Sequence, residues 1–556
     1  MCAFNRNRVV LSLRSVTLCR VATTTNRSEA SDSEQGKLGL CIVAHACRFQ
    51  VDALESVAFE VLRLVRSIKN SLAPINQVPS EVLSLIPDYC GEGDADQVTM
   101  VLTHTCRSWR ETFISRSSLW TRFDFTNVDK AHTYIQRSQS SPIKLYLRDG
   151  EVIDDAFALI IPHIRRLKSL TINARALPSI LEHFRCRTPL LEKLDIKICP
   201  SSDLFLDGTL FNRDLSSLHY LHLHGPSTDF SWKDLPNLRI VNLTSHIHRH
   251  QTPRLLDFFE SAPLLHTVSL AYPMPGSSDP PPERIVPLRH LKEFSISTKS
   301  SHSILLRHLY LPAGASLISE FQFHGEEFPL LDYLSAWSPN LGNLSHITTA
   351  NLHFNSGDKY VRLSGPSGSL RAVALWGDRE VPLSYAKDRE LLLSLGQLAL
   401  SAVQILAISG YGHPRPAEVE ECPVFQTLST VNDLRTLILT NCDGLPFILA
   451  LDPEQNPSDL VLCVTLEELV IYTESWSLSK VELLIKMAKN RASRGSKLSS
   501  FTFVDLCGLD LREEVLKLRE HAMHVEYRVD GAPPAWDDIT GGSGGEKEQA
   551  CEMVYR

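Results

Sequence analysis

The sequence predicts an α/β chain in which a short helical module precedes an α/β solenoid of stacked strands. A unit of the form apolar-x-x-apolar-x-apolar recurs along most of the chain, at spacings from 20 residues (Leu218 to Leu238) to 33 (Leu370 to Val403). Helix-patterned stretches with proline signals lie between the units, such as Thr252 to Leu265 and Ser477 to Ser493. Residues 75–125 carry short apolar stripes at helical spacing before the units begin. With 556 residues, 43% hydrophobic and 22% charged, the chain has the composition of a folding protein and the length of a repeat array. A net charge of −8 without a dense basic run argues against nucleic acid as a partner. No window approaches the roughly 18 apolar residues of a membrane-spanning helix, so no membrane insertion is expected. The 13 cysteines form no CxxC pair, which suggests free thiols in a reducing compartment.

Residues 1–51 read as an amino-terminal extension. Arg6, Arg8, Arg14, Arg20 and Arg27 precede or flank the first acidic residue, Glu29, among Ser and Thr. That composition suits either a mitochondrial presequence or an unstructured segment. Over 52–73, Leu54, Val61, Val65, Ile68 and Leu72 recur at a/d spacing up to Pro74, which predicts a lead-in helix. About two and a half heptads are few for a coiled-coil dimer, so packing on the following module is expected.

The module itself spans 74–126. Pro79 and Glu81 stand at a helix start, where a fixed φ and a negative charge are both favourable. Val78, Val82, Leu83 and Ile86 form one apolar stripe, limited by Pro87, and Gly91 to Asp96 is a polar loop. A second helix carries Val98, Val101, Leu102, Cys106 and Trp109, and Leu119 and Trp120 follow a Ser-rich turn. Helices this short cannot bury a large core, so part of their apolar surface is expected to dock a partner.

The ordered set Val78, Pro79, Glu81, Val82, Leu83, Ile86, Cys106, Arg107, Trp109, Leu119 and Trp120 resembles an F-box, in the form found in large fungal families. The resemblance implies docking to a Skp-type adaptor and, through it, to a cullin–RING (SCF) ubiquitin ligase. All of these residues except Arg107 are the candidate adaptor contacts. It also favours a cytoplasmic or nuclear chain, and hence the unstructured reading of residues 1–51, over a mitochondrial one.

From 140 to 529 the units are PIKLYL (Pro142), LKSLTI (Leu167), LEKLDI (Leu191), LHYLHL (Leu218), LRIVNL (Leu238), LHTVSL (Leu265), LKEFSI (Leu291) and ISEFQF (Ile318). They continue as ITTANL (Ile347), LRAVAL (Leu370), VQILAI (Val403), LRTLIL (Leu434), LEELVI (Leu466), LSSFTF (Leu498) and AMHVEY (Ala522). In each, positions four and six should point into a core, and positions three, five and seven outward. One strand cannot bury its apolar side alone, so parallel stacking is expected. The irregular spacing and sparse Asn resemble the divergent leucine-rich repeats of fungal F-box proteins. The expected outward residues are polar in the first half (Lys193, Asp195, Lys197, Tyr220, His222, His224, Asn242). In the second half they are apolar (Ala372, Ala374, Trp376, Ile405, Ala407, Ile438, Val470, Tyr472). An exposed apolar patch marks contact. Ala374, Trp376, Ile405, Ala407, Ile438, Val470 and Tyr472 are therefore the candidate target-protein site. Residues 530–556 are Gly-rich and polar and read as a disordered tail.

No catalytic or metal pattern survives its context. GGSGG (Gly541 to Gly545) has the serine-elbow spacing without a flanking strand and helix. Cys41, His45 and Cys47 lack a fourth ligand, and His246, His248 and His250 read as a solvated loop. No cofactor is expected. The sequence thus predicts a non-catalytic F-box substrate receptor that holds a target protein on its repeats. The alternative is an interaction scaffold that works without ubiquitin transfer.

Overall fold

The computed structural model describes residues between 34 and 529, apart from segments between elements and a few positions within them. Expectations placed on residues 1–33 and 530–556, on Gly541 to Gly545 and on His246 to His250 lie outside the described residues. The chain divides into two compact units. One holds Met1–Phe123 and Asp129–Ser141; the other holds Asp124–Val128 and Pro142–Arg556.

The first unit begins with helix α1, Glu34–Ser71. It starts well before Asp52 and so takes in the end of the stretch read as an unstructured extension. Lys69 in its last turn suits the negative end of the helix dipole. The chain then turns through Pro74–Gln77, where Asn76 Nδ2 donates to the Asn70 carbonyl at 2.6 Å. Packing of the lead-in helix on the module is not observed for its apolar stripe: Val61, Val65, Ile68 and Leu72 are exposed and Leu54 is half-buried. The module closes its core another way. Helices α2 (Ser80–Leu83), α3 (Ile86–Tyr89), α4 (Ala95–Thr105) and α5 (Arg107–Ser115) and the turn Ser117–Trp120 are joined by α6 (Val128–Ser138). Helix α6 contributes buried Ala131, Tyr134 and Ser138. The module therefore extends past the expected boundary at 126.

The second unit is built on a 16-strand, mostly parallel sheet. In chain order the strands begin with β1 Ile143–Arg148, β2 Leu167–Asn173, β3 Lys193–Lys197 and β4 Tyr220–Gly225. Next come β5 Ile240–Ser245, β6 Thr267–Tyr272, β7 Glu293–Thr298 and β8 Ser316–Phe323. They continue as β9 Thr349–Phe354, β10 Asp358–Ser364, β11 Ser369–Trp376 and β12 Ile405–Ser409. The last are β13 Thr436–Thr440, β14 Glu468–Thr473, β15 Leu498–Asp505 and β16 Ala522–Val529. Every sequence unit falls on a strand. Neighbours from β1 to β8 and from β12 to β16 pair in parallel. Inward residues such as Leu170, Ile172, Leu221, Leu223, Leu437 and Leu439 are buried. Helices α7 (Thr252–Ser261) and α10 (Leu478–Ser493) occupy the two stretches with helical pattern. Between them in sequence lie α8 (Pro423–Thr430) and α9 (Leu445–Leu451). Leu255, Leu256, Phe258 and Phe259 of α7 are buried together.

The middle of the sheet departs from the expected parallel order. β9, β10 and β11 form an antiparallel meander that enters in reverse, so β8 pairs with β11 and β9 with β12. The connections 355–357 and 365–368 are too short for a crossover, which forces antiparallel pairing. Two glycines permit the close approaches. A Cβ on Gly365 would lie 2.0 Å from the His346 carbonyl oxygen, and one on Gly410 (φ +71°) 2.1 Å from that of Phe354.

Candidate docking surfaces

The first unit sorts its sequence-chosen residues into core and surface. Proline 79 opens α2 by accepting backbone hydrogen bonds from Val82 and Leu83 at 3.0 Å each. This directs Leu83 inward and leaves Val82 facing solvent. Leu83 and Trp120 are each 2% exposed, whereas Val82 is 52% exposed. Trp120 Nε1 donates to the Phe113 carbonyl at 3.0 Å. Its ring meets Tyr134 edge-on at 5.0 Å, with the Arg137 guanidinium 4.3 Å from its centroid. Trp120 and Leu83 are therefore core residues, a correction to their reading as adaptor contacts. A large aromatic with α6 beside it is more stable sealed inside than offered to a partner.

Pro79 and Glu81 are exposed, and Val78, Ile86, Cys106, Trp109 and Leu119 are half-buried. Trp109 packs edge-on against Phe113 at 5.7 Å, and its Nε1 is buried without a hydrogen-bond partner. Cys106 Sγ reaches Asn76 Oδ1 at 3.8 Å, so Asn76 links the end of α1 to the start of α5. Arg110 Nε donates to the Thr103 carbonyl at 2.8 Å and fixes α5 against α4. The sequence reading left Leu85, Tyr89 and Met100 out of the docking set and gave Val101 no docking role. All four are exposed apolar side chains on or beside α3 and α4. Their signal was present in the sequence as apolar residues lying off the buried stripe.

In the second unit the outward positions differ from expectation in the apolar half. Ser369 is already in β11, so the strand starts at the head of its LRAVAL unit rather than two residues in. Register pairs Leu370 with Leu317, Ala374 with Phe321 and Trp376 with Phe323. Backbone pairing thus sets positions 372, 374 and 376 in the same alternation as Leu370 and Leu317, which are buried. The side chains of Ala374 and Trp376 lie outside the described residues. Ile405, Ala407, Ile438, Val470 and Tyr472 do alternate outward, and pairing places Ala407, Ile438 and Val470 in one row. Yet Ala407 is 0% and Val470 9% exposed, and Ile405, Ile438 and Tyr472 are half-buried. The expected exposed apolar patch is not present at these residues.

The polar half keeps its side chains outward and ties them to one another. Pairing sets Thr171, Asp195, His222 and Asn242 in one cross-strand row. His222 Nδ1 lies 3.1 Å from Asp195 Oδ1, an ion contact without good hydrogen-bond alignment, and Lys193 Nζ sits 4.9 Å from the Tyr220 ring centroid. Burial alone would raise the Asp195 pKa. The adjacent His222, then Lys197 and Lys193, outweigh it and hold the carboxyl below its ordinary value. His224 is lowered, first by burial and then by His222 and Lys197. Among the described residues no three His, Cys, Asp or Glu side chains gather as a metal site, and no helix is long and apolar enough to cross a membrane.

Compared with known proteins, the chain matches no family model, and no curated protein matches it.

Proposed function

We propose that this chain is a non-catalytic substrate receptor. Its first unit would act as an F-box that docks a Skp-type adaptor of a cullin–RING ubiquitin ligase. Its second unit would act as a divergent leucine-rich-repeat solenoid that holds a target protein. The observation that supports this reading best is the exposed Val82, set at the motif's own position and flanked in sequence by exposed Leu85 and Tyr89. Apolar side chains left in water on so small a helical module are the kind of surface that a partner covers. Catalysis would then be by proximity: tethering raises the effective concentration of target lysines near the charged conjugating enzyme.

Co-purification of the full chain with adaptor and cullin tests the proposal. Wild type should capture both, and Val82→Asp with Leu85→Asp should capture neither while keeping its melting temperature. Failure of wild type to capture the adaptor would contradict the receptor reading. Capture of adaptor without cullin would leave the scaffold reading in its place.

A further inference from the structure

We infer that the edge of the sheet at which β4 to β7 begin is a docking surface for an acidic, extended segment of a partner protein. His219, Arg239, His266 and Lys292 each hold the second position of a sequence unit. The last three each donate a backbone N–H to the carbonyl of the one before. Arg239 donates to His219 at 2.9 Å, His266 to Arg239 at 2.8 Å and Lys292 to His266 at 2.8 Å. The shared pattern repeats one backbone arrangement from strand to strand, so the four side chains form a row across the strands.

The start of the same row shows what this stretch lacks. Lys168 and Glu192 hold the second position of two earlier units, and they pair at 3.2 Å. From His219 to Lys292 the row holds no carboxylate, and among the described residues none of the four forms an ion pair. Arg239 and Lys292 are exposed, and His219 and His266 are half-buried. Exposed His290, in the turn before β7, sets its ring 6.5 Å from that of His266. Burial, and then Lys292, Arg239 and His290, hold the His266 pKa below its ordinary value. An anion on the row offsets those three neighbours and lets the imidazole add its own charge to the contact.

Shape and charge select the partner. Neighbouring strands lie about 4.8 Å apart, so the row runs about 14 Å. An extended chain presents side chains on one side about every 6.6 Å, so about three alternate acidic residues match it. A small anion would reach only part of the row. Further along the strands, Asn242, Ser269 and Ser295 form a cross-strand row of amide and hydroxyl groups that can bond a peptide backbone. Glu293 lies between the two rows, which keeps acidic side chains on the edge row. The net charge of −8 over the whole chain disfavours a nucleic acid, whose phosphates extend well beyond so short a row. The inference refines the reading of the second unit as the holder of a protein, and it needs no adaptor.

Fluorescence anisotropy of the full chain with a labelled oligoglutamate peptide, in the absence of adaptor, tests it. Wild type should bind oligoglutamate in the micromolar range and leave oligoglutamine unbound. Arg239→Gln with Lys292→Gln should weaken binding about tenfold or more. The melting temperature should not change, because both side chains are exposed. Arg512→Gln with Arg519→Gln, which removes two exposed cations elsewhere in the unit, should leave binding intact. No binding by wild type overturns the inference. Equal binding by the Arg239 and Lys292 variant, or an equal loss from the Arg512 and Arg519 variant, overturns it as well. Tighter binding of oligouridylate than of oligoglutamate also overturns it, and assigns the edge to nucleic acid. None of these outcomes bears on adaptor capture through Val82, so the two readings fail separately.

Discussion

Arg491 shows how single side chains hold the second unit together. It is fully buried on α10, and its Nη1 and Nη2 donate to the carbonyls of Leu462 at 2.7 Å and Cys463 at 2.8 Å. Other side chains tie successive units in the same way: Cys442 Sγ donates to the Ile408 carbonyl at 3.2 Å and Thr465 Oγ1 to that of Leu434 at 2.9 Å. Burial depresses the pKa of Arg491 and pushes the nearby Cys463 thiol up to about 12. Arg491→Met leaves those acceptors unpaired and should cost about 2–4 kcal/mol in chemical denaturation. Arg491→Lys should recover little, because a single ammonium cannot reach both carbonyls. Asp195 gives a pH prediction. Its folded pKa lies below that of an ordinary aspartate, so the contact stabilises the fold above the unfolded pKa and the benefit disappears as pH falls through the folded pKa. Wild type and Asp195→Asn should therefore differ in stability at neutral pH and converge under acid conditions. A difference that persists unchanged to low pH would assign Asp195 no charge-dependent role.

Among the elements, the strands were the most legible part of the sequence. A leading apolar residue followed by two alternating inward ones is hard to mistake when it recurs. β10 was not legible: only Val361 and Leu363 alternate as buried residues, beside Tyr360 and Arg362, with no apolar residue in the leading position. Its antiparallel place follows from short connections, which the repeat pattern does not encode. The same insertion sets Ala374 and Trp376 in backbone register with Phe321 and Phe323. The early start of α1 was hidden by Gly36 and Gly39, which are poor helix formers. In the candidate docking module, Val82 was legible as surface, but Leu83 and Trp120 were not legible as core, because α6 lies beyond the motif. The meander also predicts a sensitive point. Gly410→Ala places a Cβ against the Phe354 carbonyl at positive φ and should cost about 1–3 kcal/mol, read from the denaturant midpoint. A neutral result would mean that β9 and β12 can separate without loss.

At the scale of the whole molecule, the first unit carries exposed apolar side chains and the second a cross-strand row of polar ones. The exposed residues of the first unit and the polar outward row of the second have different chemistry, as expected if they meet different partners. The division makes the central proposal separable from stability. Trp120→Ala should destabilise the first unit by about 3–5 kcal/mol, as truncation of a buried aromatic does, whether or not a partner exists. Val82→Asp should leave folding nearly unchanged, because Val82 already faces water. The most direct measurement is calorimetric titration of the full chain with the Skp-type adaptor, comparing wild type with Val82→Asp. Specific binding by wild type, weakened about tenfold or more by Val82→Asp at an unaltered melting temperature, is the predicted result. No binding by wild type, or equal binding by both, would contradict adaptor docking through this surface.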